Sequence, residues 1–322
     1  MESCHDTDLV VAITGANGFI GKKLVAELLK HQSISIRLLV RDKVEVGSFP
    51  TNVTLIRGDL TKIESLNDFL RPSCIVINLA FMFNAIGNEN LALAKNLVKI
   101  STKNNVSRLI HCSTTSVFGN VKEDVVKEST VCNPSSDYAK SKLLIEEILK
   151  SGSEDNYEYV SIRPTEVYGA NGKAAIKLIN NLMYGNQILN YMKSCLFNSR
   201  KMNLVHVSNV VAALEFLIQT EKSIAGEVFI VSEDDNPLNN YMYIEKYLVA
   251  KLKSTRYLIP VLPFPSFILS LIFHLLRRDS ANPKLLFDSS KLKKIGFKYV
   301  TSFDRGLDDL ISGYQRNLKK IN

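Results

Sequence analysis

The stretch Leu9-Val10-Val11-Ala12-Ile13-Thr14-Gly15-Ala16-Asn17-Gly18-Phe19-Ile20-Gly21 (LVVAITGANGFIG) decides the fold. Leu9 to Ile13 is an unbroken apolar run, the pattern of a strand covered on both faces in a parallel sheet. Lys22 to Lys30 follows, with Leu24, Val25, Leu28 and Leu29 at helical spacing. The glycines between them are spaced G-x-x-G-x-x-G. Such a loop makes a tight turn, lets the backbone approach a pyrophosphate, and packs a helix closely on a strand. The helix then presents free N–H groups and the positive end of its dipole to an anion. A purely structural turn is the competing reading, and the strand and helix on either side count against it.

Outward from this loop, strands and helices alternate. Strands are predicted at Ile34–Val40, Val53–Arg57, Cys74–Leu79, Arg108–Cys112 and Tyr159–Arg163. Helices are predicted at Ser65–Leu70, Asn90–Asn104 and Tyr138–Lys150. Repeated βα units of this length imply a doubly wound parallel sheet with right-handed crossovers. Ligands of such sheets sit beyond the carboxyl ends of the strands. The glycine loop, Arg41, Asp59, Asn78 to Phe81 and Ser113 to Ser116 all fall at such ends.

After Pro164 the alternation loosens. A strand is expected at Asn203–Val207, returning to the sheet, then a helix at Val210–Thr220 and a strand at Gly226–Ser232. Leu238–Leu252 and Phe303–Leu318 read as helices. The expected division is a dinucleotide-binding domain over 1–168 and a smaller, mainly helical substrate lobe over 169–322, with segments near 203–232 returning to the sheet. There is no internal repeat and no low-complexity linker.

Tyr138-Ala139-Lys140-Ser141-Lys142 carries the chemistry. On a helix it places the Tyr138 phenol and the Lys142 ammonium one turn apart on one face. An unperturbed tyrosine, with a pKa of about 10, is a poor acid or base near neutrality. A neighbouring cation favours the phenolate and makes it usable for an alcohol–ketone interconversion. The spacing alone is common on solvated helices; beside a dinucleotide loop it gains meaning.

The chain has 322 residues, 46% of them hydrophobic, enough for one large domain or two intimate ones. Its five cysteines (4, 74, 112, 132 and 195) and five histidines (5, 31, 111, 206 and 274) are scattered. No metal site is expected, and reduced thiols fit a cytoplasmic enzyme. Met1 to Asp8 is polar and acidic, so no signal peptide is expected there. Net charge is +8 without interleaved aromatics, so no nucleic-acid platform is predicted. A phosphorylated substrate or an anionic membrane would suit that charge. Ser266–Leu276 (SFILSLIFHLL) is apolar, but its eleven residues are too few for a span of about twenty. It is read as a buried helix, with interfacial anchoring as the other possibility.

These residues match a family. The chain resembles the extended short-chain dehydrogenase/reductases, which include nucleotide-sugar epimerases, dehydratases and ketoreductases. The resemblance runs from about residue 9 to 314 through TGANGFIG (14–21), GDL (58–60), NLA (78–80), STTSVFG (113–119), YAKSK (138–142), IRPTEVYG (162–169), LVHV (204–207) and the tail at 288–314. It implies a Rossmann domain in which Gly15, Asn17, Gly18, Phe19, Ile20 and Gly21 hold the pyrophosphate. It also implies that Asp59 and Leu60 meet the adenine and that Leu79, Ala80 and Pro164 line the cofactor site. Lys142 would bond the nicotinamide ribose and tune Tyr138. Thr114, with Ser113 as the near alternative, would hydrogen-bond the substrate oxygen. A homodimer is implied by the resemblance alone.

Three positions depart from the family pattern. Arg41 stands where an acidic residue would select NAD, and a guanidinium suits the 2′-phosphate of NADP. The other reading has Arg41 stack on adenine while Asp42 takes the ribose, so NAD stays open. Glu166 replaces an asparagine usual in nucleotide-sugar enzymes, and a carboxylate repels a diphosphate. Ser208-Asn209 stands where acids are frequent, and is read as a helix cap. The expected activity is hydride transfer at a ring carbon of a nucleotide sugar, with Thr114, Tyr138 and Lys142 as the catalytic set. Reduction of an apolar ketone, of flavonoid or steroid type, is the alternative. A non-catalytic NADP sensor is the reading of another class.

Overall fold

The computed structural model describes residues 9–41, 51–66, 68–83, 88–154, 156–170, 172–254, 257, 259–265, 268, 269, 272 and 282–321. Asp42 and most of the apolar run 266–276 lie outside the described residues.

The strands and helices alternate as β1 (Leu9–Thr14), α1 (Phe19–Leu28), β2 (Ile34–Val40), β3 (Val53–Arg57), β4 (Ile75–Asn78), α2 (Glu89–Lys103), β5 (Arg108–Cys112), β6 (Val125–Val126), α3 (Asp137–Ser151) and β7 (Glu158–Pro164). There follow β8 (Glu166–Tyr168), α4 (Lys173–Tyr184), α5 (Gln187–Phe197), β9 (Leu204–His206), α6 (Val207–Gln219), β10 (Glu227–Val231), α7 (Tyr241–Lys251) and β11 (Leu286–Phe287). A short helix over Ser290–Lys294 and a long one over Phe303–Ile321 come after them. Seven strands form one sheet in the order β10-β7-β5-β4-β1-β2-β3. The order reverses between β1 and β4, the switch point of a doubly wound sheet. The ladders β1·β2, β1·β4, β2·β3, β4·β5 and β5·β7 are all parallel, as their apolar runs predict.

The chain divides into two compact units. The first takes 1–113, 140–162 and 213–228. Its core sets Ala12, Val76, Leu109 and Tyr159 of the sheet against Leu93, Leu97 and Ile100 of α2 and Ile145 and Leu149 of α3. The second takes 114–139, 163–212 and 229–322. Its core gathers Tyr168, Ile179, Ile244 and Leu248 around Phe303, Leu307 and Leu310 of the long helix.

Three details differ from the sequence reading. The helix expected over Ser65–Leu70 is a single 3-10 turn, Ile63–Leu66. Ser65 Oγ accepts from Asp59 N and donates to Lys62 O, a local bonding pattern that competes with a longer helix. The strand near 203–207 does not join the large sheet; β9 pairs with β8 in a separate two-stranded sheet. Glu166 N donates to Asn203 O at the start of that ladder, while β10 takes the edge beside β7. Finally, α6 begins at Val207, so Ser208 and Asn209 lie inside the helix rather than capping one at Val210. Buried Asn209 instead ties the helix to a following segment: its Nδ2 donates to Thr301 O, and its Oδ1 accepts from Val300 N and Thr301 N.

Candidate active site

In the first unit the glycine loop is wedged against the end of β4. Gly15 has φ +72°, and a Cβ there would stand 2.7 Å from Leu79 C and 2.8 Å from Ala80 N. Only glycine fits both the dihedral and the gap. A Cβ on Gly21 would meet Gly15 O at 2.4 Å, so α1 sits directly on the loop. Gly18 opens α1 without a side-chain cap, and the first turn holds no acid. The orphan N–H groups of that end therefore face whatever anion the loop receives. Asn17 and Gly18 are exposed, and Phe19 and Ile20 half-buried. Leu79 N donates to Thr14 O (3.2 Å), locking the half-buried Leu79 and Ala80 beside the loop.

A row of polar side chains crosses the sheet just below this end. Thr14, Asn78, His111 and Ser161 are successive register partners on β1, β4, β5 and β7, and all are buried. Thr14 Oγ1 donates to Asn78 Oδ1 (2.7 Å), and Asn78 Nδ2 lies 3.1 Å from His111 Nδ1. Burial, then the Lys142 charge, hold His111 well below the usual histidine range, so it is neutral. Neutral His111 accepts from Asn78 through Nδ1 and carries its proton on Nε2. Neither that nitrogen nor Ser161 Oγ has a hydrogen-bond partner among the described residues. Sequence reading noted Asn78 only as part of a strand end and His111 only as one of five scattered histidines. For Thr14 and Asn78 the available signal was a polar residue closing an apolar run; His111 and Ser161 lie within β5 and β7 and carry no such mark.

Lys142, on α3, is 5% exposed. Its Nζ donates to Cys112 O (2.9 Å) at the end of β5 and lies 4.8 Å from the centre of the Phe81 ring. Burial lowers its pKa, while the neighbouring Cys112 and Glu146 oppose the shift. An ammonium has three donors, and one is engaged by Cys112. The strand-end segment Asn78–Phe81, the glycine loop and Lys142 thus belong to one end of one sheet. Tyr138 lies in the first turn of the same helix α3, half-buried.

Of the remaining expected residues, Asp59 Oδ1 accepts from Thr61 N and Thr61 Oγ1, both at 2.9 Å, which fixes its carboxylate at the end of β3. Leu60 is buried in the core, with its carbonyl taken by Asn96 Nδ2 (2.7 Å). Arg41 is exposed directly after β2. In the second unit, Thr114 caps the 3-10 turn Thr115–Phe118: its Oγ1 accepts from Ser116 N and donates to Ser116 Oγ, both at 3.2 Å. Ser113 Oγ, in the first unit, is buried without a partner among the described residues. Pro164 is buried at the last position of β7. Glu166 is exposed on β8, yet the protein around it raises its carboxyl pKa by desolvation. Among the described residues, no group of three His, Cys, Asp or Glu side chains could hold a metal. No helix there is long and apolar enough to cross a membrane.

One buried acidic pair went unnoticed in the sequence. Glu233 and Asp234, just past β10, are 3% and 2% exposed. Glu233 Oε2 accepts from His206 N (2.7 Å), and Asp234 accepts from Asn203 Nδ2 (2.6 Å), Phe287 N (2.9 Å) and Asn239 Nδ2 (3.1 Å). Desolvation pushes their pKa values up to about 7 and about 6.

Comparison with known proteins places this arrangement. D-erythronate dehydrogenase of Haemophilus influenzae is 27% identical over 194 residues, 54% of this chain and 60% of that enzyme's length. A 3-beta-hydroxysteroid dehydrogenase of Mycolicibacterium neoaurum is 24% identical over 260 residues, 74% of this chain and 69% of that protein. The solved UDP-glucuronic acid 4-epimerase of Bacillus cereus, in complex with NAD, superposes with a TM-score of 0.71 at 19% identity, over 96% of this chain and 99% of that one. Its likeness extends to the Rossmann-type fold. Residues 11–232 match the profile that describes the NAD dependent epimerase/dehydratase family. The chain belongs to that family, whose members are NAD-dependent dehydrogenases and epimerases.

Proposed function

We propose that the protein is a nicotinamide-dependent oxidoreductase or epimerase that moves a hydride at a ring carbon of a nucleotide sugar. The carrying observation is that buried Lys142 reaches the end of β5 in the unit whose glycine loop is wedged on Leu79 and Ala80. The close approach of Gly15 to the Leu79–Ala80 backbone and the uncapped start of α1 suit a pyrophosphate-binding loop. Gly15, Asn17, Gly18, Phe19, Ile20 and Gly21 would hold it. Asp59 and Leu60 would meet the adenine, and Leu79, Ala80 and Pro164 would flank the nicotinamide half. Bound there, the nicotinamide supplies the hydride acceptor or donor.

The protein's own residues do the rest. Lys142, with donors beyond the one given to Cys112 O, holds the ribose hydroxyls and stabilises the phenolate of Tyr138 one turn earlier on α3. Tyr138 exchanges the proton of the substrate oxygen. Thr114 polarises that oxygen, its hydroxyl already oriented by Ser116; Ser113 is the alternative donor. Exposed Arg41 favours NADP, and with it net reduction.

A second reading, reduction of an apolar ketone, draws on Glu166, whose carboxylate would repel a diphosphate. The likeness to a hydroxysteroid dehydrogenase over 74% of this chain supports it too. Thermal shift of the full chain with UDP-, dTDP- and GDP-sugars, set against steroid and flavonoid ketones, separates the two. A shift with a nucleotide sugar supports the first reading; a shift with a ketone alone replaces it with the second.

A further inference from the structure

Helix α5 turns its large apolar side chains outward. It buries Asn190 and Ser194, which are 5% and 2% exposed, together with Cys195, and leaves Ile188 (73% exposed), Leu189 and Met192 (57%) to solvent. The polar side is fully engaged. Asn190 Nδ2 donates to Asn181 O (2.6 Å), and Ser194 Oγ donates to Glu245 Oε1 (2.5 Å). The apolar side continues onto a strap at 259–264, which is fastened to α5 by Tyr191 Oη donating to Pro260 O (3.0 Å) and Phe264 N donating to Cys195 O (2.8 Å). Ile259, Leu262 and Phe264 of the strap are exposed as well. Contiguous exposed apolar side chains of this size mark a docking surface.

The charge in the segments of sequence that carry this face is one-sided. Between Glu166 and Glu215 the sequence has no acidic residue, but it has Lys173, Lys177, Lys193, Arg200 and Lys201. Between Glu245 and Asp279 it again has no acidic residue. Lys193 and Arg200 also line a cavity of about 200 Å³ beneath the face, between α4, α5 and α7. A second copy of the same basic face would bring like charges together. An anionic lipid surface matches both properties: it takes apolar side chains at the headgroup boundary and is attracted by Lys and Arg.

We propose that α5 and the strap at 259–264 attach the protein peripherally to an anionic lipid surface, without crossing it. The test is co-sedimentation of the full chain with vesicles of phosphatidylcholine, with and without phosphatidylglycerol, alongside sedimentation velocity in their absence. Binding is expected only with phosphatidylglycerol present, and it should weaken as salt rises. The double variant Ile188→Glu/Met192→Glu should partition at least about tenfold less while keeping its melting temperature and NADPH binding. Should that variant fail to fold, Leu262→Ser on the strap tests the same face. Equal partition of variant and parent, or no binding by the parent, overturns the proposal. So does a parent dimer that the variant dissociates without any vesicle binding, which assigns the face to a second copy.

Discussion

Two helices show how differently the two units spend their polar residues. In α3, Ile145 and Leu149 pack on the sheet and two charged residues, Lys142 and Glu146, are buried among them. In α5 the polar residues Asn190 and Ser194 are buried beside Cys195, while Ile188, Leu189 and Met192 are exposed. The first pattern is a conventional core with two expensive exceptions, and a buried lysine facing a strand end is the kind that marks chemistry. The second leaves large apolar side chains in a row on the surface, which marks a face that takes a partner. The contrast sets the chemistry proposed for α3 against the attachment proposed for α5, and each side of it can be attacked.

The largest effect is expected from Tyr138→Phe. Removing the hydroxyl should cut kcat by about 10²–10⁴ while reduced nicotinamide still binds, read by steady-state assay and fluorescence titration. Retained turnover would strip α3 of its chemical role. Gly15→Ala comes next. Its Cβ cannot fit against Leu79, and its φ of +72° is strained for alanine. A loss of roughly 2–4 kcal/mol in denaturant unfolding is expected, together with lost nucleotide binding.

In the other unit, the buried acids make stability fall as pH rises. Glu233 has a folded pKa of about 7 against an ordinary 4.5, so the folded state holds its proton more tightly. Its contribution is complete below pH 4.5 and is lost as pH climbs through about 7. Over that window on the order of 3 kcal/mol should disappear. Glu233→Gln, which keeps an acceptor for His206 N, should flatten much of the slope in thermal melts between those limits. A variant with the parent's slope would reassign the titration. The smallest effect is Arg41→Asp, which should move the preference from NADPH toward NADH by about tenfold. An unchanged preference would leave Arg41 without a part in the choice.

The ease of reading followed the same contrast. β1 and β4 are apolar runs closed by a polar residue, and β2 and β5 are largely apolar, so the sheet and the carboxyl ends of its strands were visible from local pattern. The glycine loop was visible because backbone approach demands a residue type at fixed spacing. What escaped depended on tertiary partners. Ser208-Asn209 resembles a cap, but Asn209 is satisfied by Thr301, far along the chain. The strand at 204–206 was foreseen, but its partner β8 was not, since short strands carry no mark of whom they pair with. The Thr14–Asn78–His111–Ser161 row needs parallel register to become a row at all.

The most direct test of the account is a fluorescence titration of NADPH and NADH into the parent protein and Lys142→Met. The account predicts saturable binding by the parent and about 10–100-fold weaker binding by the variant, because charged ribose hydrogen bonds are lost. An unweakened variant, or a parent that binds neither nucleotide, would contradict it.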